Sequence, residues 1–185
     1  DHNIGSMLRG LFNSDFFKAA RFEHVKCPAE LVAGTLRLSG SVTGPSLDML
    51  ANADLAGFAG QSLLNPPSVE GWHEGTEWIT SGALIDRVNF ASEQMSNVEN
   101  PGVRSIIDHV ENQNGGAFTP EQLVTSCLDV IGPLTVSDKT RATLVKYVGE
   151  QGEDSLKGKK SGDAFEKVAG GLLGMIASTR EYQLA

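Results

Sequence analysis

Both tryptophans of the chain lie in one stretch, Asn65-Pro66-Pro67-Ser68-Val69-Glu70-Gly71-Trp72-His73-Glu74-Gly75-Thr76-Glu77-Trp78. Indole faces stack on sugar rings, exclude water, and are enriched where binding energy concentrates. Trp72 and Trp78 are therefore the candidate ligand-binding residues. A competing reading makes them a plug, two rings folded in to cover helix ends and pin a proline-braced loop, and this is the commoner use of such a segment. His73, Glu74 and Glu77 share the loop. Imidazole and carboxylates can move protons or hold a divalent ion, but a zinc site wants three or four ligands in defined geometry. The spacing His-Glu-x-x-Glu is not the helical His-Glu-x-x-His of zinc proteases, so no metal is assigned. Asp108 and His109, with Glu111 close by, form a second cluster, although adjacent positions on a helix do not share a face. His73, Glu74, Glu77, Asp108 and His109 are the candidate catalytic groups if the protein is a hydrolase. No Gly-x-Ser-x-Gly elbow, phosphate loop or dinucleotide fingerprint occurs, and no cofactor is expected.

Charge narrows the partners. Fifteen Lys and Arg against 23 Asp and Glu leave a net charge of -8, which makes nucleic acid and anionic membranes poor partners. From Leu38 to Asp86 there is no Lys or Arg, while Asp48, Asp54, Glu70, Glu74, Glu77 and Asp86 fall in that span. An acidic middle around a tryptophan loop suits a cation or cationic ligand, or is simply a solvated face. No apolar run reaches the ~18 residues of a membrane span. Cys27 and Cys127 have no metal-type spacing, and they fit either one bridge or two small buried side chains.

The elements that must position these groups read as helices. Thr119-Pro120-Glu121-Gln122 is a capping box with proline at the first helical position, followed by the stripe Leu123, Val124, Cys127, Leu128 and Ile131. Gly132-Pro133 ends it. Cys27-Pro28-Ala29-Glu30 opens another with Leu31, Val32, Thr35 and Leu36. Ser46 opens one through Leu47 and Leu50. Thr80 or Ser81 opens one whose stripe is Leu84, Val88, Ala91 and Met95. Ser137 opens one with Leu144, Val145 and Val148. The last runs from about Asp163, and its Gly170, Gly171 and Gly174 mark places where another helix comes close. Met7, Leu8, Leu11 and Phe12 form a first apolar face, followed by Phe16 and Phe17. The expected fold is all-α, an irregular bundle of six to eight helices with a long Pro/Trp loop. Residues 150–162, with Lys157, Lys159 and Lys160, read as an exposed, mobile connector.

The segments Leu11-Phe12-Asn13-Ser14-Asp15-Phe16-Phe17-Lys18, Lys26-Cys27-Pro28-Ala29-Glu30-Leu31-Val32 and Gly60-Gln61-Ser62-Leu63-Leu64 running on to Trp72 carry a resemblance. Gly75, Trp78-Ile79, then Leu84, Arg87, Asn89, Phe90 and Ala91, and finally Ser178-Thr179-Arg180-Glu181-Tyr182-Gln183, extend it. They resemble the bacterial domain of unknown function 1800 family, in a planctomycete-like form. Cys27 stands where that family tends to have serine, a better N-cap. The resemblance implies a mainly helical, exported bacterial protein, in the periplasm or at the cell surface, often encoded beside a sulfatase-like exported protein. It implies no catalytic residue. Family members are longer, so the chain corresponds to a C-terminal portion. Residues 1–6 are read as a scar or cut end, and 7–185 as one helical domain. The chain shows no signal segment, but its opening does not read as a translation start.

These readings lead to a non-catalytic helical module that binds an envelope polymer, a glycan or a protein partner. The alternative is a hydrolase, or part of one, acting on esters, glycosides or sulfate esters. A third reading is a scaffold, which expects a large exposed apolar patch and self-association through the surface left by the missing N-terminal half.

Overall fold

The computed structural model describes residues 3–113, 117–132, 134–152, 156 and 162–184. The helices in chain order are α1 (Ile4–Asn13), α2 (Asp15–Ala19), α3 (Pro28–Ser39), α4 (Asp48–Phe58), α5 (Ser81–Ser96), α6 (Pro101–Glu111), α7 (Pro120–Ile131), α8 (Asp138–Gly149) and α9 (Asp163–Ala177). Two 3-10 turns, Gly75–Trp78 and Glu181–Gln183, complete the order. Among the described residues there is no strand, only the isolated bridges Val25–Leu184 and Ser68–Gly71. The fold is all-α. Apart from the single short turn α2, each helix has ten or more residues.

Capping chemistry sets most of the starts. The Thr119 hydroxyl accepts from the Gln122 N–H at 3.3 Å, and the Gln122 side chain accepts from the Thr119 N–H at 2.9 Å. This satisfies two backbone donors that a helix start leaves free. At α3 the Glu30 carboxylate accepts from the Cys27 N–H at 2.7 Å. The Thr80 and Ser137 hydroxyls do the same work for α5 and α8. Helix α4 begins at Asp48 rather than Ser46, with no side-chain cap. Helix α6 opens on Pro101 and buries Val103, Ile106, Ile107 and Val110.

Helix α9 runs through the core, burying Phe165, Val168, Ala169, Leu172, Leu173 and Ile176. Its glycines do what their placement suggests. A Cβ on Gly170 would lie 2.7 Å from Val98 Cγ1 and 3.1 Å from the Ser96 carbonyl oxygen. One on Gly174 would lie 2.8 Å from Ser96 Cβ. The close neighbour is the end of α5, whose Ala91 and Met95 are fully buried. The rest of α5 differs from the expected stripe. It buries Ala83 and Arg87, while Leu84 and Val88 stay half-buried. The face turns because Arg87 finds backbone and amide acceptors inside, described below.

A second close approach joins α3 to α6. Gly40 ends α3 in the left-handed region (φ 67°), and its N–H donates to the Leu36 carbonyl at 3.0 Å. Gly102 lies against this corner, so a Cβ there would collide with the carbonyl oxygen of Leu38 and the backbone of Ser39.

Beyond α9, residues 178–184 fold back as a strap. The Lys26 N–H donates to the Gln183 carbonyl at 3.0 Å, and Lys26 Nζ donates to the Tyr182 carbonyl at 2.8 Å. The Tyr182 hydroxyl meets Thr35 Oγ1 at 3.1 Å. Glu181 Oε1 accepts from the Ser137 N–H at 2.9 Å and from the Thr140 hydroxyl at 3.0 Å. Partial burial works to raise the Glu181 pKa, but these hydrogen bonds outweigh it and hold the carboxyl below its ordinary value.

Leu156, inside the 150–162 connector, is buried, and its carbonyl accepts from the Phe118 N–H at 3.1 Å. Lys157, Lys159 and Lys160 lie outside the described residues. Both cysteines are free. Cys127 is buried in the core, with its thiol pushed up to about 12 by burial. Helices α1 and α2 bury nothing. Phe12 and Phe17 touch at 5.1 Å, while Ile4, Met7 and Phe16 face solvent, as do Leu50 and Phe58 on α4. The exposed apolar face that a scaffold would show is therefore on these three helices.

Gly102→Ala should destabilise the protein by about 2–3 kcal/mol, because the obstacle is backbone that cannot rotate away. Gly171→Ala meets only the Tyr147 ring end and recovers helix propensity, so it should cost less. Urea denaturation of both variants checks the order. A carboxyl held below its ordinary value contributes stability above that value and loses it as pH falls through the lowered one. Glu181→Gln should therefore be less stable than the parent at neutral pH, with the gap closing below about pH 4. Thermal melts across that range measure it.

Candidate functional site

The Pro/Trp loop starts where α4 ends. Gly60 takes φ 101°, and its face without a Cβ lies under the Trp78 ring, about 3.5 Å from where a Cβ would stand. Trp78 closes the 3-10 turn and is only 5% exposed. Trp72 differs. It is half-buried, and its indole N–H donates to the Ser62 carbonyl at 3.2 Å. The structure thus divides the pair by burial: Trp78 is the plug that anchors the turn and reaches an opening only as part of its inner wall, while Trp72 stands beside the same opening half-exposed.

That opening is a cleft of about 950 Å³ between the loop and the start of α3. Trp72, His73, Glu74 and Glu77 line one side. His24, Cys27, Glu30 and Gln61 line the other. The Gln61 side chain accepts from the Ala29 N–H at 2.9 Å, fastening the loop's approach to the first turn of α3. Two imidazole–carboxylate pairs face this space. His73 Nδ1 lies 2.9 Å from Glu77 Oε2, and His24 Nε2 lies 3.3 Å from Glu30 Oε2. Both pairs are more than half exposed, so they add little to stability. Glu30 is held below the usual carboxylate range, first by the Cys27 N–H and then, against partial burial, by His24 and the Cys27 side chain.

Glu30, Glu70, Glu74 and Glu77 supply four carboxylates, and no Lys or Arg is among the described lining residues. Such a wall attracts cations and hydrogen-bond donors and repels anions. Among the described residues no group of three or more His, Cys, Asp or Glu is arranged to hold a metal ion. Asp108 and His109 are exposed on α6 and line none of the clefts described here. The structure brings His73, Glu74 and Glu77 together with Trp72 and leaves Asp108 and His109 elsewhere.

His24, Glu30 and Gln61 are site residues that the sequence reading did not pick. Glu30 was visible only as the partner of a helix cap. His24 carries no local pattern, and it reaches the cleft because Val25 and Lys26 are tied to the strap. Arg87 was missed as well. It is 2% exposed, with Nε donating to Gln183 Oε1 at 2.9 Å and Nη2 to the Lys26 carbonyl at 2.8 Å. Burial pushes its pKa down from the ordinary arginine value, yet arginine keeps its proton. The signal available was spacing, since Ala83, Arg87, Ala91 and Met95 recur every four residues.

Residues 1–184 match the family model described as a protein of unknown function, DUF1800. The chain belongs to the DUF1800 family. No curated protein and no solved structure matches it. Family membership therefore brings no catalytic residue to this cleft, and the geometry has to carry the reading. Among the described residues no helix of this DUF1800 chain is long and apolar enough to cross a membrane.

Trp78→Ala should cost about 3–5 kcal/mol, since it empties a sealed site. Trp72→Ala should cost less than half of that, because one side of its ring is open. Guanidinium unfolding of the two variants checks the division between anchor and surface.

Proposed function

We propose that the chain is a non-catalytic helical binding module of an exported bacterial protein, and that the Trp72 cleft takes a neutral or cationic glycan segment of the cell envelope. The observation that carries this reading is the pairing of one half-exposed indole with four carboxylates in a cleft whose described lining has no cation. An indole face covers the apolar face of a sugar ring. Carboxylates accept from its hydroxyls, or from the ammonium of an amino sugar. A cleft of this sign disfavours sulfated or phosphorylated polymers, and with them the sulfate-ester form of the hydrolase alternative. A space of about 950 Å³ is large enough for a short oligosaccharide.

The hydrolase reading keeps one specific support. Glu77 orients the His73 ring at 2.9 Å, which is how a general base is positioned. Two exposed pairs, with no Ser-His-carboxylate arrangement among the described lining residues, favour binding over turnover.

The test is titration with neutral, amino-sugar and sulfated oligosaccharides, followed by assay of the same mixtures for cleavage. Binding of the first two should weaken at least tenfold in Trp72→Ala and in Glu74→Gln/Glu77→Gln, with each variant still folded at the titration temperature by its cooperative melt. Preference for the sulfated ligand would overturn the reading. Cleavage that disappears in His73→Ala would replace it with the hydrolase.

A further inference from the structure

A second cavity lies on the other side of the 3-10 turn and differs from the first in every chemical respect. It measures about 530 Å³ and shares only Thr76 with the Trp72 cleft. Val25, Ile79, Leu84, Val88 and Leu184 form its walls. Leu84 and Val88 are among the residues of α5 that stay half-buried when its face turns inward on Arg87. No Asp or Glu is among its described lining residues. In a chain of net charge -8 this is an apolar pocket without a negative wall.

Its polar side chains are Gln183, Arg180 and the hydroxyls of Thr76, Ser178 and Thr179. Gln183 lines the pocket and is 3% exposed. Its Oε1 accepts from Arg87 Nε, which fixes the amide orientation, because the reverse would set two donors against each other. The free end is therefore the NH2, and Gln183 Nε2 has no partner among the described residues. Arg87 Nη1 is likewise without a partner among the described residues. The Arg87 guanidinium donates only to neutral oxygens. The Ser178 and Thr179 hydroxyls are spent on the Gly174 and Ile176 carbonyls. Arg180, exposed, stands on the lining with no ion pair among the described residues. Two buried donors without acceptors, one of them on a cation, call for an acceptor-rich group. The walls call for an apolar body attached to it.

We propose that this pocket binds an amphiphilic carboxylate, its apolar tail between Val25, Ile79, Leu84 and Val88 and its carboxylate on the Gln183 amide, with Arg87 behind and Arg180 at the rim. Because Gln183 Nε2 is buried, binding requires that amide to shift towards the pocket while Oε1 stays on Arg87 Nε. This ligand is distinct from the glycan of the Trp72 cleft, whose carboxylates would repel it.

The experiment titrates the whole chain with decanoate below its micelle concentration, and with decanol and acetate as controls. Calorimetry reads affinity, and methyl NMR reads the shifts of Leu84 and Val88. One saturable site for decanoate is expected, with decanol weaker by about tenfold or more and acetate silent, because a hydrogen-bonded charge carries the head and burial carries the tail. Arg180→Gln, at an exposed position, should weaken decanoate several-fold and leave decanol unchanged. Val88→Phe, verified as folded by its melt, should abolish both. Equal binding of decanol and decanoate, no effect of either substitution, or no saturable site would overturn the proposal. Trp72→Ala should leave decanoate binding intact, so this result stands or falls separately from the glycan reading.

Discussion

A guanidinium sealed in a protein interior must be given oxygen atoms, and the folded chain is arranged around giving them to Arg87. Its two acceptors come from opposite ends of the sequence, the Lys26 carbonyl before α3 and the Gln183 side chain on the strap. A buried charge without such partners is among the more expensive features a core can contain. The approach to α3, the middle of α5 and the strap are therefore held as one unit. The same requirement rotates α5 so that Leu84 and Val88 leave the core and line a pocket. It also draws Val25 and Lys26 inward, which carries His24 to the rim of the other cleft.

The 3-10 turn Gly75–Trp78 is the partition between the two spaces. Its rigidity comes from Trp78, packed over Gly60. On one side lie Trp72 and carboxylates, on the other aliphatic walls and unspent donors. The two clefts thus have opposite electrostatic character across a single turn of chain. Thr76 lines both spaces.

The helical framework was largely legible because it is written in local chemistry. Thr119 with Gln122, Cys27 with Glu30, and the hydroxyls of Thr80 and Ser137 are caps readable from a few adjacent residues. Gly170 and Gly174 were legible as contact points because glycine inside a helix needs a reason. The α5 face was misread because a stripe of Leu84 and Val88 looks more apolar than one holding Arg87, and only distant acceptors reverse that preference. The loop was legible as a proline-braced segment carrying both indoles, and the structure sets it beside a cleft. The division of labour between Trp72 and Trp78 was not, since it depends on Gly60 and Ser62 meeting the two rings from α4's end. His24 and Gln61 reach the cleft through tertiary ties that leave no periodic trace.

The strap has a consequence for how the molecule comes into being. The hydrogen bond from Lys26 Nζ to the Tyr182 carbonyl closes a loop of 156 residues, and ordering that much chain carries a large entropic toll before any contact repays it. While the polypeptide is still emerging from the ribosome, α5 has no Gln183 to meet, and Arg87 stays hydrated. Helices capped by near neighbours can form early, but the inward turn of α5 waits for residues 178–184. The inward face of α5 is thereby completed only once residues 178–184 are in place to supply Gln183.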